Sequence, residues 1–135
     1  MAKKVYRYEI NEVINGYGGQ TIENPGPYRA RCGGDDVFGD EKKEKYFELY
    51  NDMCNKHGGN SHPTRSEDKL GYDDDVFCAC ATLEDLKKWF KGYNKKLIAV
   101  GFNLVEYRVK TFKMGESGKQ VGFKREHVIG KKILT

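Results

Sequence analysis

The stretch from Val76 to Val109 constrains this chain more than any other, because it reads as a strand, a capped helix and a second strand in direct succession. Phe77-Cys78-Ala79-Cys80-Ala81 is a short unbroken run of small and apolar residues, which predicts a strand covered on both faces. Thr82 ends that strand and starts a helix, since its hydroxyl can accept from the backbone N–H of Glu84 or Asp85 while Asp85 reaches back toward the cap. Leu83, Leu86, Phe90, Tyr93, Leu97 and Val100 recur at spacings of three and four, predicting one amphipathic helix over 83–100. Lys87, Lys88, Lys91, Lys95 and Lys96 occupy its other side. Gly101 suits the left-handed conformation that closes a helix, and Phe102 opens an alternating strand through Val105, Tyr107 and Val109. A helix with such a stripe must lie across a sheet.

The flanking segments extend the pattern. Val5 to Ile10 alternates strictly, with Tyr6, Tyr8 and Ile10 on one side and Val5, Arg7 and Glu9 on the other, so an arginine and a glutamate share a strand face. Residues 15–36 are rich in Gly, Asn and Pro and form a long loop, of the kind that often carries function. Asp40 can cap a second helix over about 41–57, its apolar side made of Tyr46, Phe47, Tyr50, Met53 and Cys54, with Gly58-Gly59 as its stop. A polar segment containing Ser61-His62-Pro63-Thr64 and Asp73-Asp74-Asp75 leads back to the Phe77 strand. Gly115-Glu116-Ser117-Gly118 predicts a hairpin turn into a strand over 119–124, and Val128, Ile129, Ile133 and Leu134 offer one more. At 135 residues the expectation is a single α+β domain spanning 1–135, a largely antiparallel sheet with two main helices.

Composition narrows the function classes. No apolar run approaches the roughly 20 residues of a membrane span, and no charged start precedes an apolar leader, so a cytoplasmic protein without membrane contact is expected. Four cysteines are too few for a disulfide scaffold at this length, which predicts reduced thiols. The net charge of +4 hides an asymmetry: residues 35–85 hold 14 acidic against 6 basic residues, whereas 86–135 hold 13 basic against 3 acidic. A basic half invites phosphate contact, but it lacks a recognition module with interleaved aromatics, so no specific nucleic-acid partner is expected.

Three kinds of site are weighed. Cys54, His57, Cys78 and Cys80 include potential zinc ligands, but the spacing is not a common one and a Cys-x-Cys pair on a strand is better read as small side chains packed under Trp89 and Phe90. No metal is therefore expected. A cysteine nucleophile wants an exposed, electropositive setting that interior Cys78 and Cys80 do not offer, and Gly16 to Gly19 lacks the Lys-Ser/Thr sequel of a phosphate loop. The third is a phosphate or nucleotide pocket built from Arg7, from the loop Tyr28-Arg29-Ala30-Arg31 and from His62, because guanidinium groups fork onto phosphate and aromatic faces stack on bases. Against it stands a purely structural role, Arg7 pairing with Glu9 and Tyr28 packing on the core.

Two resemblances follow from these motifs. Val5-Tyr6-Arg7-Tyr8-Glu9, Gly26-Pro27-Tyr28, His62-Pro63, Leu83 to Phe90, Gly101-Phe102 and Gln120-Val121-Gly122-Phe123 resemble small uncharacterised proteins of bacteriophages and bacterial genomes, over most of the chain. That resemblance implies no activity; for a phage protein it implies the host cytoplasm. The order of elements also resembles, more distantly, the ADP-ribosyltransferase superfamily. That resemblance implies Arg7 at the nicotinamide or phosphate end of NAD, the Cys78 to Thr82 strand end, with Thr82, in the middle role, and Gln120 where a catalytic Glu belongs. Cys80-Ala81-Thr82 departs from a Ser-Thr-Ser sequence, and a glutamine cannot supply the carboxylate that stabilises positive charge as a glycosidic bond breaks.

The expectation is a phage-type protein holding a nucleotide-like ligand, NAD or ADP-ribose in type, through Arg7, Tyr28, Arg29, His62, Thr82 and Gln120. It is more a binder than an enzyme, and Gln120 is the only catalytic candidate. The alternatives are a non-catalytic inhibitor that blocks a host defence enzyme by surface contact, and an active ADP-ribosyltransferase.

Overall fold

The computed structural model describes residues 2–15, 21–30, 34–57, 62, 64–65, 67–70 and 76–135, and within these not the side chains of 34–37 and 40. The Gly16–Gly19 loop, the Gly58-Gly59 stop, the Asp73–Asp75 run, Arg31 and Cys32, and the side chain of the expected Asp40 cap, lie outside the described residues.

Alternation in the first strand, β1 (Lys3–Glu9), serves two cores at once. Its Tyr8, with Ile10 just beyond, joins a cluster under the helices that includes Tyr46, Met53, Leu86, Phe90, Leu97 and Phe102. On the other face Val5 joins Phe77, Val105, Tyr107, Val121 and Phe123. Both faces are therefore interior, and Arg7 and Glu9, at 6% and 1% exposure, are carried inside with them.

The antiparallel arrangement is divided rather than continuous. β1 pairs with β5 (Asn103–Val109), and β5 with β8 (Val128–Ile133), the strand expected from the tail. β4 (Val76–Ala79) pairs with β7 (Val121–Lys124), which also takes β6 (Lys113–Met114). A small ribbon joins β2 (Val13–Asn15) to β3 (Thr21–Glu23). The two larger sheets touch where Tyr6 and Cys80 exchange backbone hydrogen bonds of 2.8 Å. The 115–118 turn forms as expected, with Gly115 N donating to Gln120 O at 2.9 Å and Gly118 at φ +74°.

Two helix boundaries differ from the sequence reading. The first helix, α1 (Gly34–Lys56), begins earlier than residue 41 and is interrupted at Gly39, whose φ of 66° and ψ of 172° cannot continue a helix. The helix expected over 83–100 is two: α2 (Leu83–Trp89) and α3 (Asn94–Ala99), separated by a turn in which Gly92 has φ +88°. The apolar stripe survives the break because Phe90 and Tyr93 themselves form the turn, and Tyr93 O accepts from Leu97 N at 2.9 Å. A glycine just past a helix end is the signal for that stop. α3 closes with Gly101 at φ +113°, Gly101 N donating to Ile98 O and Phe102 N to Leu97 O at 3.0 Å each, the two hydrogen bonds of a Schellman motif.

Candidate functional site

A cavity of about 380 Å³ opens where β1, the loop after β3, the end of α1, β4 and α2 converge. Of the residues expected to bind ligand, Arg7, Tyr28, Arg29, His62 and Gln120 line it. Thr82 does not: it is exposed, and its Oγ1 accepts from Asp85 N at 3.0 Å as the N-cap of α2. The helix start needs that oxygen, so the middle role assigned to Thr82 by the transferase resemblance is occupied by capping.

Arg7 reaches the cavity from β1. Its Nη2 donates to Asn24 O at 3.2 Å, its Nε lies 3.5 Å from Glu9 Oε1, and its guanidinium sits 4.8 Å from the Phe77 ring centre. The expected pairing with Glu9 is thus real, but it is incomplete. Glu9 is already held by Tyr107 OH at 2.7 Å and Lys131 Nζ at 2.6 Å, and neither Nε nor Nη1 of Arg7 has a hydrogen-bond acceptor among the described residues. Burial together with the Glu9 carboxylate pushes the Tyr107 phenol up, so Tyr107 remains a donor. Gly26 makes room for this arginine: a Cβ there would stand 3.0 Å from Arg7 Nη2.

The opposite end is aromatic. Trp89 Nε1 donates to Tyr28 OH at 3.0 Å, and Tyr28 OH is also hydrogen-bonded to His57 Nδ1. The His57 and His62 rings stack at 3.9 Å with an 8° tilt, and His62 Nε2 is 3.0 Å from Trp89 O. Burial, helped by the charge that His62 would carry, lowers His57 from the usual histidine range to about 4. Tyr28 is pushed up by burial. Phe90 packs edge-on to Tyr8 at 5.1 Å and closes this wall.

Gln120, at the start of β7, is buried, and its Nε2 donates to Asp68 Oδ2 at 2.8 Å. Asp68 also takes Ser117 N and Ser117 Oγ at 2.8 and 3.0 Å, so this carboxylate holds the turn and the glutamine rather than facing the cavity. Cys54, Cys78 and Cys80 line the cavity as well. Burial pushes the Cys78 thiol up and the Cys80 thiol to about 12, and Cys80 Sγ donates to Lys119 O at 3.7 Å. Among the described residues no three His, Cys, Asp or Glu side chains form a group that could hold a metal.

Sequence reasoning missed Arg65 and Trp89 as lining residues and weighed His57 only as a metal ligand. Arg65 donates through Nη2 to Val76 O at 3.0 Å, beside the strand that carries Cys78. None of these three stands in a recognisable motif; only the adjacency of His57 and Trp89 to aromatic stripes hinted at them. The Lys87, Lys88 and Lys91 side chains are exposed, away from the cavity. No helix among the described residues is long and apolar enough to cross a membrane.

No curated protein and no solved structure matches this chain, and nothing in the comparisons supports the ADP-ribosyltransferase resemblance. A family model described as bacteriophage T4 Y00F protein matches residues 1–134, in line with the resemblance to small phage proteins. By that match, which takes in the strands, loops and helices that build the cavity, the chain belongs to the bacteriophage T4 Y00F protein family.

Proposed function

We propose that the protein binds a nucleotide-like ligand of the NAD or ADP-ribose type in this cavity, with phosphate at the Arg7 end and the ring against Tyr28, Trp89 and Phe90. The observation that carries the reading is Arg7, a guanidinium at 6% exposure whose Nη1 has no acceptor among the described residues. An unmatched buried N–H of a cation is destabilising, and a phosphate oxygen that a small shift of the guanidinium brings within reach is the acceptor whose geometry and charge suit it. The aromatic wall supplies the apolar contact a base requires. A volume of about 380 Å³ is near the lower end of the roughly 300–1,000 Å³ common for small-molecule pockets, so one nucleotide unit fills it and the rest of a dinucleotide extends through the mouth.

Gln120 in place of a carboxylate, with Asp68 committed to Ser117 and Gln120, favours binding without ADP-ribosyl transfer. A host-enzyme inhibitor acting by surface contact would need an exposed patch, and the buried guanidinium of Arg7 has no part in such a contact.

A thermal-shift screen with AMP, ADP-ribose and NAD tests the reading. A true ligand at 100 times its dissociation constant adds about 2.7 kcal/mol of stability. In calorimetry Arg7→Ala should lose about 1.5–3 kcal/mol of binding, as expected for hydrogen bonds to a charged group, and Gln120→Ala less. No response from the parent protein to any nucleotide would overturn the proposal and turn attention to the surface-blocking alternative.

A further inference from the structure

The charge at the Arg7 end of the cavity is set by groups that do not line it. Arg7, Glu9 and Lys131 meet on one face of the sheet formed by β1, β5 and β8, where Glu9 is 1% exposed. Lys131 Nζ lies 2.6 Å from Glu9 Oε2, and Tyr107 OH donates to Glu9 Oε1 at 2.7 Å. Arg7 Nε stands 3.5 Å from the same carboxylate and makes no hydrogen bond to it. The short charged contact is the lysine's, so Lys131 is the cation that matches Glu9, while the neutral Tyr107 phenol adds a donor but no charge. Two cations thus share one carboxylate, and the cluster keeps one positive charge in excess. Arg125, which shares the Phe77 ring with Arg7, leaves that excess unchanged because Glu23 Oε2 pairs with it at 2.7 Å.

Lys131 reaches this carboxylate from the rim of the fold. β8 is the outer strand of its sheet, and the Lys131 side chain is 32% exposed, so its stem runs inward from solvent to a buried acid 122 residues away. A buried carboxylate deprived of that partner would turn to the nearest remaining cation, which is Arg7. The excess charge beside the cavity would then vanish. Because Arg7 lines the cavity, its charge acts on an anion there through space, whichever of its atoms the ligand touches.

We infer that Lys131 is a positioning residue of the cavity: by holding Glu9 it leaves the charge of Arg7 uncancelled, and so makes the cavity favour ligands with an anionic group over their uncharged counterparts. The inference rests on the nucleotide reading above and names the residue on which its preference for phosphate depends.

Calorimetry at fixed ionic strength tests it by comparing AMP with adenosine, which lacks only the phosphate, in the parent chain, Lys131→Met, Glu9→Gln and the double variant. Lys131→Met should weaken AMP about tenfold, the size of one unit charge lost near an anion in a protein site, and leave adenosine unchanged. Glu9→Gln, whose amide oxygen can still accept from Tyr107, should tighten AMP several-fold. In the double variant AMP should return to the parent's affinity, a recovery that a merely structural role for Lys131 does not give. Unchanged AMP affinity in Lys131→Met, an equal loss for AMP and adenosine, or no recovery in the double variant would overturn the inference and leave the nucleotide reading standing. Glu9→Gln reads the same charge without touching Lys131, so AMP binding that is unchanged or weaker in that variant overturns the inference even where Lys131→Met fails to fold. Absence of AMP binding by the parent protein would overturn the nucleotide reading and this inference with it.

Discussion

Gln120 Nε2 donates to Asp68 Oδ2 at 2.8 Å across 52 residues of chain, tying the start of β7 to the segment before β4. Because a carboxylate can only accept, the bond also fixes which end of the Gln120 amide is which. Asp68 is 1% exposed and takes two further hydrogen bonds from Ser117. Asp68→Ala should therefore cost about 3 kcal/mol in urea unfolding, since several buried donors lose their acceptor together. Gln120→Glu should be about as costly at neutral pH, because two buried carboxylates at that distance repel. Its deficit should shrink as pH falls and the pair comes to share a proton. A neutral effect of both substitutions would show that this contact does not hold the turn.

Gly92→Ala separates one helix from two by the sign of its effect. In a continuous helix over 83–100, alanine would stabilise by about 1 kcal/mol. With Gly92 at φ +88°, outside helical geometry, the same change should destabilise by about 1–2 kcal/mol. No atom lies near the added Cβ, so steric crowding does not confuse the result.

The His57 ring gives stability a pH dependence of predictable sign. Its folded titration is lowered to about 4 by burial, whereas the unfolded chain binds the proton near 6.5, so the unfolded state holds more protons between those values. Stability from this group is present above about pH 6.5 and is lost as pH falls toward 4. Urea midpoints measured at pH 7 and pH 5 should differ in the parent protein, and His57→Gln should narrow the gap.

Phe90→Ala should cost about 3–5 kcal/mol, because the ring is buried among Tyr8, Tyr28 and His57 and its removal enlarges the cavity it lines. A loss under about 1 kcal/mol would mean that this wall is not packed as described.

Gly26→Ala tests the seat of Arg7 with little disturbance of the core. The added Cβ would meet Arg7 Nη2 at 3.0 Å, so the guanidinium must shift by a few tenths of an ångström. Nucleotide affinity should fall several-fold while unfolding changes by about 1 kcal/mol, the usual size of a single substitution that shifts one neighbour slightly. Calorimetry and unfolding on the same preparation separate the two effects.

Some of this molecule is legible from the sequence because the forces involved act over a few residues. Thr82 caps α2 through Asp85 N, Gly101 closes α3, and the 115–118 turn forms, each by hydrogen bonds between near neighbours. The alternation that puts Tyr8 and Arg7 on opposite faces is equally local, and it foretold that Arg7 shares a side with Glu9. The break at Gly92 was hidden by an apolar stripe that runs unbroken through the turn, since burial of Phe90 and Tyr93 needs only their positions in space. What only the tertiary structure decided is convergence. Tyr28, His57 and Trp89 come from separate segments with no shared period, as do Arg7 and Gln120 and the 64–70 turn that carries Arg65 and the Asp68 holding Gln120. Such contacts arise when cores packed on both faces of β1 force distant segments together, and no spacing along the chain encodes them.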